Sequence, residues 1–152
     1  MHCTGSELSP VIRSLFHRFH NELRRKVAIG EYSLDGLSYG PASNMYELIY
    51  DCHMEEIARR SFKFSKIEEF GVSKFSKINK FGVHLSKRDL PEDGMLFKVI
   101  EEILYSWSVS GGLRQMIHFY TTRIGCYYSI DPSEWALEVV CLYDNNKDDI
   151  RS

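Results

Sequence analysis

The chain has 152 residues, enough for one domain with a sizeable core of its own. Hydrophobic residues make up 43% of it, with nine Phe and nine Tyr, which excludes a disordered chain, and no run of 18 apolar residues offers a membrane-spanning helix. The net charge of −2 hides an asymmetry: Arg59 to Arg88 holds nine basic residues against two acids, a local +7, so the remainder carries −9.

Ser9-Pro10 opens a first helix, with proline in the first turn. Ile12, Leu15, Phe16, Phe19, Leu23 and Val27 follow at helical spacing as one apolar face, and Gly30 ends the element. Residues 31–43, with Gly36, Gly40 and Pro41, read as a loop. Asn44 with Glu47 reads as a capping pair for a second helix, through Asp51 to about Phe64, burying Leu48, Cys52, Ile57 and Ala58. The segment 63–72 (KFSKIEEFGV) is then repeated at 74–83 (KFSKINKFGV), with eight of ten positions matching. Gly71 and Gly82 sit where helix C-terminal caps belong, so the second helix is expected to be extended by one added helical turn. Two copies are too few for a solenoid, and a tandem duplication is the simpler account.

Pro91 is expected to start a third helix with an apolar stripe of Leu96, Val99, Ile100, Ile103, Leu104 and Trp107. A short helix or turn over Leu113–Phe119 precedes two β-prone runs, one around Cys126 and one around Cys141. The Asp131-Pro132-Ser133 turn joins them as an antiparallel hairpin. Val83-His84-Leu85 is a candidate third strand, and residues 144–152 are a polar, frayed tail. Helices followed by strands imply one α+β domain over residues 1–152, with helices packed on a small antiparallel sheet and an inserted segment at about 63–83. Spacing alone leaves three pairings open for Cys3, Cys52, Cys126 and Cys141, and four reduced thiols remain a further alternative. The hairpin favours Cys126–Cys141, leaving Cys3–Cys52 to pin the amino terminus onto the second helix.

Three stretches carry a family resemblance: Phe19-His20-Asn21-Glu22-Leu23-Arg24, Leu48-Ile49-Tyr50-Asp51-Cys52, and Gly111 to Tyr143 with Gln115-Met116 and Ile124-Gly125-Cys126 inside it. Together they resemble the CAP (SCP/TAPS) superfamily, and most of all its secreted venom-allergen-like proteins of parasitic nematodes. The resemblance implies a three-layer α-β-α sandwich and the same disulfide pairing. It also implies an extracellular protein of host–parasite contact and immunomodulation. With no leader before His2-Cys3, the chain is expected to begin at its mature end.

Members of that family gather two histidines and two glutamates in a central cleft able to hold a divalent metal. Carried over position by position, those places fall on Glu69, Val83, Trp107 (or Ser110) and Gly112. Valine and glycine have no side-chain donor, and a metal needs several converging ones. The tetrad is therefore expected to be lost, with no metal, no cofactor and no catalytic residues. His84 reads as an ordinary half-exposed histidine, His118 as a packing residue in the place of the family's tryptophan, and His20 as a structural part of its signature. His17/His20 and His53/Glu56 share helical spacing without further partners. The adjacent pairs Glu55/Glu56, Glu68/Glu69 and Glu101/Glu102 read as solvated helix faces, and no nucleophile elbow or phosphate loop is present.

The basic repeat is the remaining candidate partner surface, with Lys63, Lys66, Lys74, Lys77 and Lys80 interleaved with Phe75 and Phe81. Its aromatics either pack on the core or anchor a partner that the lysines steer. A host or extracellular protein fits such a surface, as does a sulfated glycan or an anionic lipid, whereas nucleic acid is not expected. The expected function is a secreted, non-enzymatic binding protein. The alternative is lipid or sterol carriage, with loop 31–43 and the Phe-rich repeat lining the cavity.

Overall fold

The computed structural model describes residues 2–66 and 80–145, apart from the side chains of 63–66. Helix α1 (Pro10–Ala28) starts where Ser9 Oγ accepts the Val11 N–H, and Pro10 occupies the first turn. Its buried side includes Ile12, Leu15, Phe16, Leu23 and Val27, the periodic face the sequence predicts.

Residues 31–43 are not a plain loop. They hold a hairpin of β1 (Tyr32–Leu34) and β2 (Leu37–Tyr39), turned by Asp35 and Gly36, both at positive φ. Asp-Gly at positive φ is the turn chemistry a two-residue hairpin needs. The hairpin's foot is closed by Gly40, where an added Cβ would lie 1.8 Å from the Val27 carbonyl oxygen. Asn44 and Glu47 do not cap a helix. Strand β3 (Ile49–Tyr50) intervenes, and α2 (Cys52–Lys66) begins at Asp51, whose carboxylate accepts the Met54 N–H at 2.9 Å. Cys52 is accordingly exposed.

Strand β4 (Gly82–Asp89) extends the candidate strand on both sides, and Gly82 opens it rather than capping a helix. The third helix, α3 (Leu96–Ser108), starts five residues after Pro91, because Pro91 to Gly94 closes a turn with Gly94 at positive φ. Then come the single turn α4 (Leu113–Met116), β5 (Arg123–Asp131) and β6 (Ala136–Tyr143). The main sheet runs β3-β5-β6-β4; β3–β5 is parallel and the other pairs are antiparallel.

This is the three-layer α-β-α sandwich. On one face α2 lays Met54, Ala58 and Phe62 over Val140 and Leu142, with Val83 and Tyr127 beside them. The fit is close enough that a Cβ on Gly125 would lie 2.4 Å from the Glu55 backbone nitrogen. On the other face, α1, α3 and α4 cover Ile124, Cys126, Val139, Cys141 and Tyr143, the alternate positions of the same strands. Cys126 and Cys141 are direct cross-strand partners and are bonded, and Cys3–Cys52 ties the amino terminus to the start of α2.

Two charged or polar regions differ from expectation. Glu55 is not solvated; it is buried against Arg13 at 2.8 Å, in a knot with Tyr50 and Ser6. Asp144 and Asn145 do not fray: Asp144 accepts from Thr122, and Asn145 is buried between Gln115 and Thr121.

Candidate functional site

Of the four places where the resemblance puts metal ligands, Glu69 lies outside the described residues. Val83 points to the α2 face, while Trp107 and Gly112 lie on the opposite face of the sheet. His84 joins those two. Its Nε2–H donates to the Gly112 carbonyl at 2.8 Å, and its ring stacks on Trp107 at 4.7 Å and stands edge-on to Tyr143 at 5.6 Å. Trp107 in turn donates Nε1–H to Ser86 Oγ. His84 is partly exposed, as expected, but it is also a built part of the packing; burial lowers its pKa, which keeps it neutral.

Gly112 has a geometric reason to be glycine: a Cβ there would meet His84 Cε1 at 2.7 Å. Space that a side chain at 112 would take is filled by the histidine of β4. Gly112→Ala is therefore expected to cost about 1–3 kcal/mol of stability through overpacking. His84→Ala in the same chain should recover most of that loss. Strictly additive losses in denaturant unfolding would show that the ring and the glycine do not share this space.

The remaining histidines on α1 are also spoken for. His17 Nε2–H donates to the Leu48 carbonyl, and His20 Nδ1–H to the Phe16 carbonyl. The other His20 nitrogen then accepts the Tyr143 hydroxyl at 2.6 Å, in a fully buried setting that brings its pKa down to about 3. His118 is buried beside Phe119, the packing role expected of it. Among the described residues no three His, Cys, Asp or Glu side chains gather where they could share an ion. The side chains present around Gly112 do not fit a divalent metal: indole, backbone carbonyl and a hydrogen-bonded imidazole supply no converging anionic donors.

Most of the basic repeat cannot be placed: Lys74, Phe75 and Lys77 lie outside the described residues, as do the side chains of Lys63 and Lys66. Lys80 is exposed, and Phe81 packs against the cluster under α2. For Phe81 the core reading therefore holds.

A concavity lies elsewhere, as a groove of about 940 Å³ between α1, the β1–β2 hairpin and α3. Its floor is a row on α1 at spacing of four, Val11, Leu15, Phe19 and Leu23, and α3 supplies Phe97 and Tyr105 opposite. Tyr32 forms part of the hairpin wall, its hydroxyl donating to the Ser108 carbonyl at 2.5 Å. Val11 and Tyr105 are more than 60% exposed, so the mouth of the groove carries apolar surface that water covers in the free protein. Loop 31–43 was expected to line a cavity and its hairpin does. Phe97 and Tyr105 were missed, although their spacing of eight puts them on one side of α3, away from its buried stripe.

Known proteins can be set beside this geometry. The sequence model of the cysteine-rich secretory protein family, CAP, matches residues 17–143. An "Ancylostoma secreted protein" of Ancylostoma caninum is 26% identical over 93% of this chain, which spans about a third (36%) of that relative's length. A solved Ancylostoma-secreted protein shares the fold with a TM-score of 0.74 at 30% identity, covering 96% of this chain and 75% of the other. Its manganese-bound form gives 0.76 at 31%, covering 97% and 76%. The Schistosoma mansoni venom allergen-like protein 4 shares the fold at 21% identity, with a TM-score of 0.61 over 93% of this chain and 92% of its own. No helix among the described residues is long and apolar enough to cross a membrane. With its helices on both faces of the sheet, its two disulfides and a family match running from the first helix to the last strand, the chain belongs to the CAP family of cysteine-rich secretory proteins.

Proposed function

We propose that this protein works outside the cell as a non-enzymatic binding protein, engaging a host or other extracellular macromolecule through the groove between α1, the β1–β2 hairpin and α3. The observation that carries this reading is the groove itself: a large concavity with an apolar floor and exposed Val11 and Tyr105 at its mouth. The degenerate tetrad supports it from the other side. Valine at 83, glycine at 112 and His84 packed into the gap favour binding over metal chemistry, even though a relative has been solved with manganese. Secretion is in keeping with two disulfides and with relatives described as secreted.

The test compares capture of extracellular or serum proteins by the wild-type chain and two surface variants. Val11→Glu/Tyr105→Glu changes exposed side chains and should abolish saturable capture. Charge reversal at Lys74, Lys77 and Lys80 should leave it unchanged. The opposite outcome would move the partner surface to the basic repeat, and capture that never saturates would remove the reading altogether.

Lipid or sterol carriage is the second reading, favoured by the unbroken apolar row Val11, Leu15, Phe19 and Leu23 along the groove floor. A fluorescent fatty-acid or sterol titration with stoichiometric, displaceable uptake would establish it.

A further inference from the structure

We propose that the occupant of this groove is an amphipathic α-helix of a partner protein, acidic along the flank that faces α1 and basic along the flank that faces α3 and the hairpin. The proposal rests on the reading of the groove as the binding surface and names the chemistry of its partner. Dimensions come first. From Pro10 to Lys26 the groove follows α1 for about 24 Å, the length of about four helical turns. A partner helix of about 16 residues, about 24 Å long, matches that length.

The walls suit a helix as well. Val11, Leu15, Phe19 and Leu23 line the groove at spacing of four on α1; Leu15 and Leu23 are mostly buried, while Val11 and Phe19 reach the surface, where another helix's side chains can pack on them. Phe97 and Tyr105 close the other side and can grip apolar residues of the incoming helix.

Charge separates a helix from a lipid. The α1 edge of the groove carries Arg18 and Lys26, and the facing edge carries Asp35 and Glu101. All four are exposed, and none takes part in the ion pairs found among the described residues. Glu22, the acid between the two cations, is paired with Arg25 at 3.3 Å, so among the described residues Arg18 and Lys26 are the unpaired charges of that edge. The edges are therefore zoned, basic along one side and acidic along the other, over about 12 Å between Arg18 and Lys26. An alkyl chain with one polar end meets at most one of these edges and crowds the other charges away from water. A helix with an acidic and a basic flank opposes both at once, which fixes its direction and register.

Two synthetic peptides of about 16 residues test this, each with leucines on one face and identical composition. One carries Glu on the α1-facing flank and Lys on the other, and its control has the flanks exchanged. Titrated by fluorescence anisotropy into the full chain, the matched peptide should bind saturably and about tenfold more tightly than the control, because exposed ion pairs contribute little each. Arg18→Glu/Lys26→Glu makes both edges acidic and should abolish the preference, and raising salt should shrink it in the wild-type chain. Equal binding of both peptides to the wild-type chain overturns the proposal. So does stoichiometric binding of a dansyl fatty acid that neither peptide displaces, which leaves the groove as a binding surface but gives it to a lipid. Failure of peptides and fatty acid alike removes both the proposal and the groove reading beneath it.

Discussion

Glu55→Ala is expected to destabilise the protein by about 3–5 kcal/mol, the cost of stranding a buried charge. Glu55 is 2% exposed and holds four groups. Arg13 donates Nε–H to one carboxylate oxygen at 2.8 Å and Nη2–H to the other at 3.3 Å; the Tyr50 hydroxyl donates at 2.6 Å and the Ser6 hydroxyl at 2.5 Å. Removing the carboxylate leaves the Arg13 guanidinium with neutral neighbours, the Leu8 carbonyl and the Tyr50 hydroxyl, in a site water barely reaches. The loss also removes a group that Ser6, α1 and β3 all share. A domain's total stability is about 5–15 kcal/mol, so the variant should approach unfolding at ambient temperature. Arg13→Met/Glu55→Leu, which removes both charges and keeps the volume, should cost much less. Chemical denaturation of the three proteins checks this; a Glu55→Ala loss below about 0.5 kcal/mol is what an ordinary solvated glutamate would give and would sink the account.

That glutamate shows where a sequence stops being readable. Next to Glu56 on a helix, Glu55 looks like half of a solvated pair, and its partner lies 42 positions away. Nothing local distinguishes the two. Helix α1, by contrast, is declared locally: a serine, a proline, then apolar residues at a period the backbone itself imposes. The Cys126–Cys141 bridge is also legible, because alternation along two adjacent strands puts both sulfurs on one face. Asp35-Gly36 was a legible turn signal that a surrounding cluster of glycine and proline obscured. The wrong start of α2 came from reading Asn44 as its cap, a place that Asp51 holds. The parallel β3–β5 pairing decides between them, and it joins residues more than 70 positions apart. The groove belongs to the same class. Its floor is written in α1, but its existence depends on how far α3 and the hairpin stand from that helix, a distance no periodicity encodes.

The site of the lost tetrad was legible in composition and not in geometry. That Gly112 offers no donor follows from its identity. That His84 then takes up the space, tied to the very carbonyl of Gly112, follows only from β4 lying against the α3–α4 turn. The substitution and the infill are two halves of one arrangement: the glycine is tolerated because the ring fills its place, and the ring fits because the glycine has no side chain.

Acid should unfold the protein through its buried histidines before it protonates the carboxylates. His20 is fully buried, with Nδ1–H given to the Phe16 carbonyl and Nε2 accepting from Tyr143, so both nitrogens are used only while the ring is neutral. Burial is the chief cause of its pKa of about 3; the bond to the Phe16 carbonyl raises it part of the way back, and the Arg24 guanidinium presses it down. In the unfolded chain the same ring titrates near 6.5. Between these values the unfolded state holds a proton that the folded state refuses, so stability is greatest above about pH 6.5 and falls as the pH drops toward 3. The slope is about 1.4 kcal/mol per pH unit for one such group, and the whole window amounts to roughly 5 kcal/mol. His84, lowered in the same direction, steepens the fall. Unfolding free energies measured from pH 7 to 4.5 isolate this effect from the Asp51 and Glu56 carboxylates, both of which stay ionised to lower pH than usual. The neutral variant His20→Gln should lose about one proton's worth of that slope whatever its absolute stability. Equal slopes for the two proteins would mean that His20 takes up its proton in the folded state as readily as in the unfolded one.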